Sequence, residues 1–579
     1  MNTETQQPTD PHQWAAPPPT GIRRYVPLFV WLPSYDKSLL RFDVIAGATI
    51  WGLLVPEMIA YAGLAGLPPQ AGLYTLLVTL AAYAIFGTSR QLVAAGTSAA
   101  AVLVASGVAD RGPVNPDDYL TLAAGLVLIC GLLFLLAGFL RLGFIAQFLS
   151  KPVMEGFVFG LAIFVTVSQL PKLFGIEKGD GDTIRQFFHL IGELDTASWL
   201  TFIVGFAALV LLFGVERFAP KLPGGLIALV LGIAVSSAFD LAKHGVAVVG
   251  SVPSGLPSIG IPDLASGDVL ALSAAAIGMV LVIYSESLGA AETFAAKHGY
   301  EIDPNQELLA LGAVNAGSGL VGGLAGGGSL SQTAVNDGAG ARSQMSPLVA
   351  TVLALVTILF LTPLFKSLPE AVLAALIIHA VSHLMKVQEF RRYYADRPHE
   401  FWLGLLTLIG VITLDVLPGL VIGVVAMLIF FVYNVSQAHL SVLGGVPGTK
   451  GAYGDIGRHP AYETTTGLLV LRLEAPLFYA NASVVRKRVK ALVGAADPTP
   501  HAVILDMGAN GDRLDITGAE TLNALVRELH AARVDVALAE IRMPVVQMAQ
   551  RSGLLDTLGE NRVLHTIQEA VRALDPSRS

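Results

Sequence analysis

Long apolar runs separated by short polar connections occupy the chain from about residue 44 to residue 435. Twelve of these runs approach the roughly 20 residues that a helix needs to cross a bilayer. They predict membrane-spanning helices rather than the core of a soluble protein. The runs lie near Val44 to Leu64, Gly72 to Phe86, Leu120 to Leu140, Gly156 to Leu170, Trp199 to Val215, Leu226 to Leu241, Val269 to Leu288, Leu308 to Leu324, Pro347 to Phe365, Leu368 to Met385, Phe401 to Leu417 and Leu420 to Val435.

Two further segments are too short to span a bilayer and are rich in small residues: Gly96 to Val108, and the stretch around Gly326 to Gly340. Each is predicted to be a half helix. Each half helix takes third place in a series of seven elements, so the pattern is seven plus seven. Because seven is odd, the second series must insert upside down, which predicts an inverted repeat.

After about His459 charged residues return and the apolar runs shorten to strand length. Strands and helices are predicted to alternate there, which indicates a small soluble α/β domain. The predicted strands are Leu468 to Leu473, Ala502 to Met507 and Val534 to Ala539, and the predicted helices are Ala482 to Val493, Ala519 to Ala532, Met543 to Arg551 and Ile567 to Leu574. The chain is therefore expected to contain an N-terminal tail (residues 1–40), a transmembrane domain (41–440) and a soluble domain (459–575).

Composition places the chain among polytopic membrane proteins, since 53% of its 579 residues are hydrophobic and only 14% are charged. The net charge of −8 and the absence of a basic stripe argue against nucleic acid as a partner. The single cysteine, Cys130, excludes disulfides and cysteine-based metal sites. The polar, proline-rich start of the chain has no apolar centre and predicts a cytoplasmic tail rather than a signal peptide.

The distribution of lysine and arginine predicts the orientation of the chain in the membrane. These residues concentrate on the side of the N-terminus, and an even number of crossings returns the C-terminal domain to that side. Both termini are therefore expected in the cytoplasm, with the chain in the plasma (inner) membrane. The predicted cytoplasmic set is Arg23, Arg24, Arg41, Arg90, Arg141, Lys151, Arg217, Lys221, Lys386, Arg391, Arg392 and Arg397, and the sparser opposite set is Arg111, Lys172, Lys178, Arg185, Lys243 and Lys366.

Two acidic residues, Glu57 and Glu286, stand inside predicted membrane helices. A charge at the centre of a membrane helix costs about 2.5–3.5 kcal/mol, so an ionisable residue there indicates a functional site. Each acid lies in the first element of its series, ahead of that series' half helix. The acids and the half helices are therefore expected to form one site, and a structural polar pair is the alternative.

The openings of the half helices supply the second part of this site. Gly96-Thr97-Ser98 introduces the first half helix and Gly326 to Ser331 the second, and both contain residue types that cap helices. In an inverted repeat the two N-termini point at each other, and their free N–H groups and dipoles favour an anion. Close packing through small residues is an alternative. A nucleotide loop is disfavoured because no Gly-Lys-Ser/Thr follows the glycines.

His379 and His383 lie four residues apart on an apolar segment, a spacing that two metal ligands can have. The sequence shows no third ligand, so an interfacial role is preferred.

Motifs in both halves and in the soluble domain resemble those of one known family. The first half carries Asp43-Val44-Ile45-Ala46-Gly47, the run from Val55 to Pro69, Gly72-Leu73-Tyr74 and Gly87-Thr88-Ser89-Arg90; the second carries Glu286-Ser287, Asp303 to Leu308, Ser331 to Asn336 and Gly340 to Ser343; the soluble domain carries Asp515-Ile516-Thr517-Gly518. These residues resemble the SulP (solute carrier 26) anion transporters with a C-terminal STAS domain. The resemblance extends from about residue 40 to the end of the chain.

The resemblance implies a transporter rather than an enzyme, with fourteen segments in which a core domain holds the substrate and moves against a gate domain in an elevator-like alternating access. It also implies a homodimer and a small anion as substrate: bicarbonate, a carboxylate or dicarboxylate, or sulfate. No cofactor or metal is expected. Carried over by position, the substrate-binding residues are Glu57, Tyr61, Thr97, Ser98, Ser329, Ser331 and Gln332, and the candidates for proton coupling are Glu286 and Glu57.

Three positions depart from the family pattern. Glu57 stands where the family usually has Gln, Thr97 where it usually has Pro, and Gln332 where it often has Arg. The first and third changes make the site more negative and disfavour divalent sulfate. The cost of burying a carboxylate favours uptake of a proton with the anion and predicts proton-coupled symport. Ala290 brings no hydroxyl ligand for sodium.

Three other functions are alternatives. A passive anion channel or exchanger would use the same site without coupling. A nucleobase transporter would share the fold and the acid of the eighth segment, but not the run from Val55 to Pro69 or the STAS domain. A membrane-bound enzyme would need a partnered nucleophile or metal ligands in the soluble part, where neither pattern occurs.

Thr517 precedes the soluble-domain helix predicted near Gly518. It resembles the position that is phosphorylated in soluble relatives of the STAS domain. The preferred alternative is an ordinary helix N-cap, since threonine is a common cap.

Overall fold

The computed structural model describes residues 21–575 apart from residues 110, 113–114, 149, 180, 220–221, 438, 450 and 511–513. Residues 1–20 of the predicted tail lie outside the described residues. The remainder of that tail contains short helical turns at Ile22–Tyr25, Leu28–Trp31 and Lys37–Leu39.

Fourteen helices of the described chain follow the order that the apolar pattern predicts, with the two half helices, α3 and α10, in third and tenth place. Nine helices of the described residues are long and apolar enough to cross a bilayer by length and composition. The fourteen are α1 Leu40–Leu64, α2 Pro69–Phe86, α3 Ser98–Ala109, α4 Pro116–Phe139, α5 Lys151–Phe174, α6 Trp199–Phe218, α7 Gly224–Ala238, α8 Ser266–His298, α9 Pro304–Leu320, α10 Leu330–Gly338, α11 Met345–Val356, α12 Glu370–Ser382, α13 Pro398–Leu414 and α14 Val416–Ser436. Two further helices, Thr183–Gly192 and Val387–Asp396, lie between α5 and α6 and between α12 and α13.

The two series of seven helices repeat the same order of elements. In each, the half helix is preceded by a three-residue strand, β1 (Ala94–Gly96) or β2 (Gly326–Gly328). Packing is exchanged in the same way, because α4 packs against α8 and α9 while α11 packs against α1 and α2. Such reciprocal packing is what an inverted repeat requires.

The helices pack in two groups. The core group contains α1–α4 and α8–α11, and the gate group contains α5–α7 and α12–α13. Within the gate group, α5 packs against α12 and α13, and α6 packs against α7 and α12. Helix α1 contacts α7 and α12 along the boundary between the groups.

Glycines set the distance between helices of the core group. A Cβ on Gly131 of α4 would lie 2.2 Å from the backbone nitrogen of Ala316 on α9. A Cβ on Gly47 of α1 would lie 2.6 Å from the carbonyl oxygen of Ser346 on α11. Small residues allow this close approach between backbones, which stabilises helix pairs where lipid provides no hydrophobic drive for association.

The soluble domain is a mixed sheet with helices on both faces. The strand order is β4-β3-β5-β6-β7-β8, in which β5 to β8 are parallel and β3 is antiparallel to β5. A larger core with α15 and α16 covers one face and a smaller core with α19 covers the other. The strands are β3 Leu440–Gly445, β4 Tyr453–Asp455, β5 Leu468–Leu473, β6 Ala502–Asp506, β7 Asp535–Ala539 and β8 Val563–Leu564, and the helices are α15 Ala482–Ala495, α16 Ile516–Ala531, α17 Met543–Arg551, α18 Leu554–Leu558 and α19 Ile567–Leu574.

The predicted alternation of this domain is confirmed at β5, β6, β7 and at α15, α16, α17 and α19. Sequence reasoning missed β3, β4, β8 and α18. Two of these strands precede His459, so the sheet begins earlier in the chain than the predicted domain does. The chain divides into two compact units between Met427 and Leu428, within α14.

We expect Gly131→Ala to destabilise the core group. Alanine favours a helix over glycine by about 1 kcal/mol, but here its methyl group would overlap the backbone of α9, and overpacking costs about 1–3 kcal/mol. The measurement is the melting temperature of the purified protein in detergent. Gly214→Ala on α6 is the control, since nothing lies within 4 Å of its added Cβ. Equal melting temperatures for the two variants would contradict the packing argument.

Candidate functional site

A two-stranded ribbon forms the centre of the core group. Strands β1 and β2 pair antiparallel, with Ala94 opposite Gly328 and Gly96 opposite Gly326. Each strand leads directly into a half helix, and because the strands are antiparallel, α3 and α10 leave the ribbon in opposite directions. Non-helical backbone at membrane depth is tolerated only where protein or water satisfies its N–H and C=O groups.

Side chains from neighbouring helices satisfy the outer edges of this β1–β2 ribbon. Asn315 of α9 donates from Nδ2 to the carbonyl oxygen of Gly326 at 2.9 Å and accepts at Oδ1 from its N–H at 3.0 Å. Ser287 Oγ of α8 accepts from the N–H of Gly328 at 2.7 Å. Sequence reasoning did not assign Asn315 to the site. A lone amide within an apolar helix is the signal that would have indicated it.

The start of α3 is capped by its own chain. The hydroxyl oxygen of Thr97 accepts a hydrogen bond from the N–H of Ala100 at 3.1 Å. Threonine can cap the helix here because it accepts a hydrogen bond, which proline cannot do with its side chain. The cap satisfies one of the four N–H groups that a helix start leaves without an intrahelical partner. The others, beginning with the N–H of Ser98, are the donors available to an anion.

The start of α10 has no side-chain cap. Ser329 occupies the N-cap position, but its side chain accepts no bond from the helix, and its Oγ lies 3.0 Å from Oγ of Ser331. No described side chain therefore accepts from the first N–H groups of α10. Such groups, together with the helix dipole, form a site for an anion.

Glu57 and Gln332 connect the first helix of the site to the second half helix. Nε2 of Gln332 donates to Oε2 of Glu57 at 2.8 Å and to the carbonyl oxygen of Gly96 at 3.3 Å. Since both partners are acceptors, the orientation of the amide is fixed. Oε1 of Gln332 is buried and has no donor among the described residues. The hydrogen bond joins two of the three residues that depart from the pattern implied by the family resemblance.

Tyr61 and Glu286 complete the cluster. The Tyr61 hydroxyl is buried beside Ser98, and both Glu57 and Glu286 are close enough to act on it electrostatically. Glu286 is half-buried and forms no hydrogen bond or ion pair with any described residue. The neighbouring residue, Ser287, accepts a hydrogen bond from the backbone of β2, so Glu286 lies at the level of the β1–β2 ribbon.

All eight residues predicted for the site therefore lie at the β1–β2 ribbon or at the helix starts into which it leads. The structure brings them together, and their roles in binding stay predictions.

The two half helices differ in exposure. Helix α3 is buried from Ser98 to Val104, whereas α10 presents one exposed face along its length. A cavity of about 470 Å³ lies between α3 of the core group and α5 and the α13–α14 connection. At this cavity a hydrogen bond from Oγ of Ser106 to Oδ2 of Asp415, 3.2 Å long, joins α3 to that connection. The exposed residues of α10 are Leu330, Ser331, Ala334, Val335 and Gly338.

Thr517 is not the N-cap of its helix, so that interpretation was wrong. Oδ1 of Asp515 accepts from the N–H of Gly518 at 2.7 Å, and Asp515 is the capping residue. Aspartate is a better N-cap than threonine, because its carboxylate accepts a strong hydrogen bond from the helix and is attracted to the positive end of the helix dipole. Thr517 lies exposed in the first turn of α16, and its phosphorylation stays a prediction.

His379 and His383 have a third potential ligand, which the sequence pattern does not show. Glu216 of α6 lies beside them, with its Oε2 2.9 Å from Nε2 of His379. The pattern could not reveal this ligand because Glu216 belongs to a different helix, far away in the sequence. The interfacial role preferred for the histidine pair stays a prediction.

Comparison with known proteins agrees with this architecture. Residues 40–407 match the Sulfate permease family, and residues 459–570 match the STAS domain. A probable sulfate transporter of Mycobacterium tuberculosis is 35% identical over 549 residues, which cover 95% of this chain and 98% of that protein. Sulfate transporter 4.1 of Arabidopsis thaliana, a chloroplastic protein, is 30% identical over 568 residues, covering 94% of this chain and 82% of that protein.

Solved structures show the same fold. The murine Solute Carrier 26 family member A9 anion transporter, in the inward-facing state, superposes with a TM-score of 0.88 at 24% identity, covering 95% of this chain and 94% of that one. The transmembrane domain of the cyanobacterial bicarbonate transporter BicA gives a TM-score of 0.60 at 23% identity, covering 67% of this chain and 98% of that one.

The fold is that of a helical membrane transporter built from inverted repeats and followed by a STAS domain, and the family match makes it an anion transporter. The chain belongs to the sulfate permease family, which corresponds to the SulP (solute carrier 26) resemblance of its motifs. It is a transporter rather than an enzyme. The predicted fold class and family are thereby confirmed.

We expect Ser331→Ala to weaken anion binding about three- to tenfold, because it removes one hydrogen bond worth about 1 kcal/mol. Ser331→Pro should weaken binding more, since it also removes a backbone N–H from the start of α10 while proline fits the first turn of a helix. Binding is measured by calorimetry on the purified protein. Ser273→Ala on α8 is the control, because that hydroxyl donates within its own helix to Val269. Unchanged affinity in both Ser331 variants would contradict an anion site at this helix start.

Proposed function

We propose that this protein is a secondary active transporter that moves a small anion across the membrane together with a proton. The observation that carries the proposal is the meeting, at one ribbon, of two half-helix starts with two membrane-embedded carboxylates, Glu57 and Glu286. The helix starts attract the anion through their N–H groups and dipoles. The carboxylates provide proton-binding groups beside it.

Glu286 is the residue that we assign to the coupling proton. A carboxylate that is partly removed from water and lacks a hydrogen-bond donor is costly in its charged form, and the half-buried Glu286 has no hydrogen-bond or ion-pair partner among the described residues. A proton on Glu286 removes both this cost and the repulsion between the carboxylate and a nearby anion. Proton and anion then favour each other's binding, which is the thermodynamic basis of symport.

The state of Glu57 bears on which anion is carried. Gln332 donates its two amide hydrogens to Glu57 and to the carbonyl oxygen of Gly96, so the Glu57–Gln332 pair offers the anion a carboxylate and no free donor. A dianion such as sulfate is repelled by that carboxylate more than a monoanion is, and needs a proton in the site to offset the repulsion. The buried Oε1 of Gln332 favours a species with its own O–H, such as bicarbonate.

Relatives in the family are named sulfate transporters, so sulfate stays within the proposed substrates beside bicarbonate and the carboxylates or dicarboxylates. The Glu57–Gln332 pair is the reason to place monoanions ahead of sulfate at neutral pH.

We propose an elevator-like alternating access in which the core group moves against the gate group. Exposure of the site along α10, combined with burial of α3, is the asymmetry expected of a conformer open to one side. The β1–β2 ribbon ties both half helices together, so anion and site travel as one body. Opening along α3 requires the Ser106–Asp415 hydrogen bond to break and the cavity beside it to widen.

We also propose that the chain lies in the plasma (inner) membrane with both termini in the cytoplasm. The protein is proposed to be a homodimer. The lysine and arginine pattern supports this orientation, in which the exposed face of α10 leads to the cytoplasm. The predicted domain boundaries, 1–40, 41–440 and 459–575, stay predictions, and the sheet of the soluble domain begins at Leu440, ahead of the predicted start at residue 459.

We expect Glu286→Gln to abolish anion accumulation driven by a pH gradient while it preserves anion binding and exchange. The amide keeps the size of the side chain but cannot take up a proton. The measurement is uptake of labelled anion into proteoliposomes with an inward proton gradient, and Glu292→Gln, an exposed position on the same helix, is the control. Proton-driven uptake that persists in Glu286→Gln would remove the assignment. If anion uptake by the wild type does not depend on the pH gradient, the protein is a passive channel or exchanger.

We expect Glu57→Gln to shift selectivity towards divalent anions, because it removes a negative charge beside the anion while an amide can still accept from Gln332. In the wild type, sulfate uptake should rise more steeply than monoanion uptake as pH falls, since protonation lowers the same repulsion. Competition by sulfate, bicarbonate, chloride and dicarboxylates against one labelled anion measures both effects. An unchanged order of selectivity would show that Glu57 has only a structural role.

A further inference from the structure

Outside the anion site, one carboxylate and two imidazoles meet where two gate-group helices end. Glu216 lies in the last turn of α6, His379 in the last turn of α12, and His383 directly after that helix. Their potential ligand atoms lie within 4.8 Å of one another. None of the three belongs to the anion site or contributes to the proposed transport mechanism.

Both imidazoles converge on a single carboxylate oxygen. Nε2 of His379 lies 2.9 Å and Nε2 of His383 lies 3.5 Å from Oε2 of Glu216. In a tetrahedral zinc site with bonds of about 2.0–2.1 Å, neighbouring ligand atoms are roughly 3.3 Å apart. The observed separations bracket this value, so small rotations of the side chains would bring all three atoms to binding distance of one ion.

We propose that Glu216, His379 and His383 form a binding site for a divalent transition metal ion, with Zn²⁺ as the best match. Two histidines four residues apart chelate zinc from one helix end, and a carboxylate from a neighbouring helix completes a three-ligand set with an open fourth position for water. Nitrogen and carboxylate donors in this proportion suit Zn²⁺, Co²⁺ or Ni²⁺ better than Mg²⁺ or Ca²⁺.

Exposure and packing fit the same assignment. The side chains of Glu216 and His383 are each 46% exposed, which gives an ion and its water a route to the cluster. His379 is held more firmly, with its ring against the edge of Phe213 at 4.8 Å between centroids. A bound ion would link the end of α6 to the end of α12 within the gate group.

A hydrogen bond between His379 and Glu216 without any metal is the competing explanation, and calorimetry distinguishes the two. The full-length protein, purified in detergent, treated with EDTA and freed of any tag, is titrated with ZnCl₂. We expect one saturable site per chain in the wild type and at least tenfold weaker binding in His383→Ala and in Glu216→Gln. His189→Ala is the matched control, because His189 pairs only with the carboxylate of Glu193, 3.6 Å from its Nε2, and no third ligand joins them among the described residues. It should bind zinc as the wild type does.

Melting temperature gives a second readout. Zn²⁺ should raise the melting temperature of the wild type and of His189→Ala, because an ion that binds only the folded state stabilises it by mass action. It should not raise that of His383→Ala or Glu216→Gln, whose melting temperatures in EDTA show that they are folded. Absence of a saturable site in the wild type, or equal zinc affinity in a His379→Gln/His383→Ala double variant, would overturn the proposal.

Discussion

Every backbone N–H and C=O group of the β1–β2 ribbon needs a partner inside the protein, because the surrounding hydrocarbon offers none. The strands satisfy part of this requirement by pairing, and side chains of α8, α9 and α10 satisfy more of it. The helices that supply these partners must pack directly on the ribbon. A Cβ on Gly327 would lie 2.8 Å from Cγ2 of Ile283 on α8, and one on Gly96 would lie 2.8 Å from Sδ of Met58 on α1. Glu286 and Glu57 stand close to these contact residues, so the packing that satisfies the ribbon also brings both acids to it.

Charge in the site follows from one exchange of residues. The family resemblance of the motifs predicts Gln and Arg at the positions of Glu57 and Gln332, and here a hydrogen bond joins these two residues. A donor and an acceptor therefore still face each other, while the positive charge is lost and a negative charge is gained. This change leaves the hydrogen bonding of the β1–β2 ribbon intact. It makes the electrostatic field at the predicted anion position more negative.

The apolar pattern was sufficient to predict the order of all fourteen helices and the place of both half helices, because bilayer thickness sets helix length. It failed where polar residues continue a helix. The run ending near Leu288 belongs to α8, which extends to His298, since Glu292 and Lys297 end an apolar run without ending a helix. It also failed at β3 and β8 of the soluble domain, where register with neighbouring strands rather than local propensity decides the structure.

The candidate site was predictable as far as local signals reach. Glu57, Glu286 and the glycine-rich openings stand out in the sequence because each is unusual for a membrane helix. Asn315, Glu216 and Asp515 were not assigned because their roles depend on partners elsewhere in the fold: the N–H of Gly326, the imidazole of His379, and the amide of Tyr479 as well as the helix start.

The antiparallel ribbon also sets the order of events during synthesis. Strand β1 reaches the membrane with the first half of the chain, but its pairing partner, β2, lies in the second half. At about 5–20 residues per second, the intervening chain takes roughly 10–50 s to make. During this interval the backbone of β1 lacks its permanent hydrogen-bond partners, so it must stay near water, near the translocation machinery, or in a temporary helical continuation of α3. The candidate anion site can therefore be complete only after the second repeat has been synthesised, since half of its residues and the pairing partner of β1 belong to that repeat.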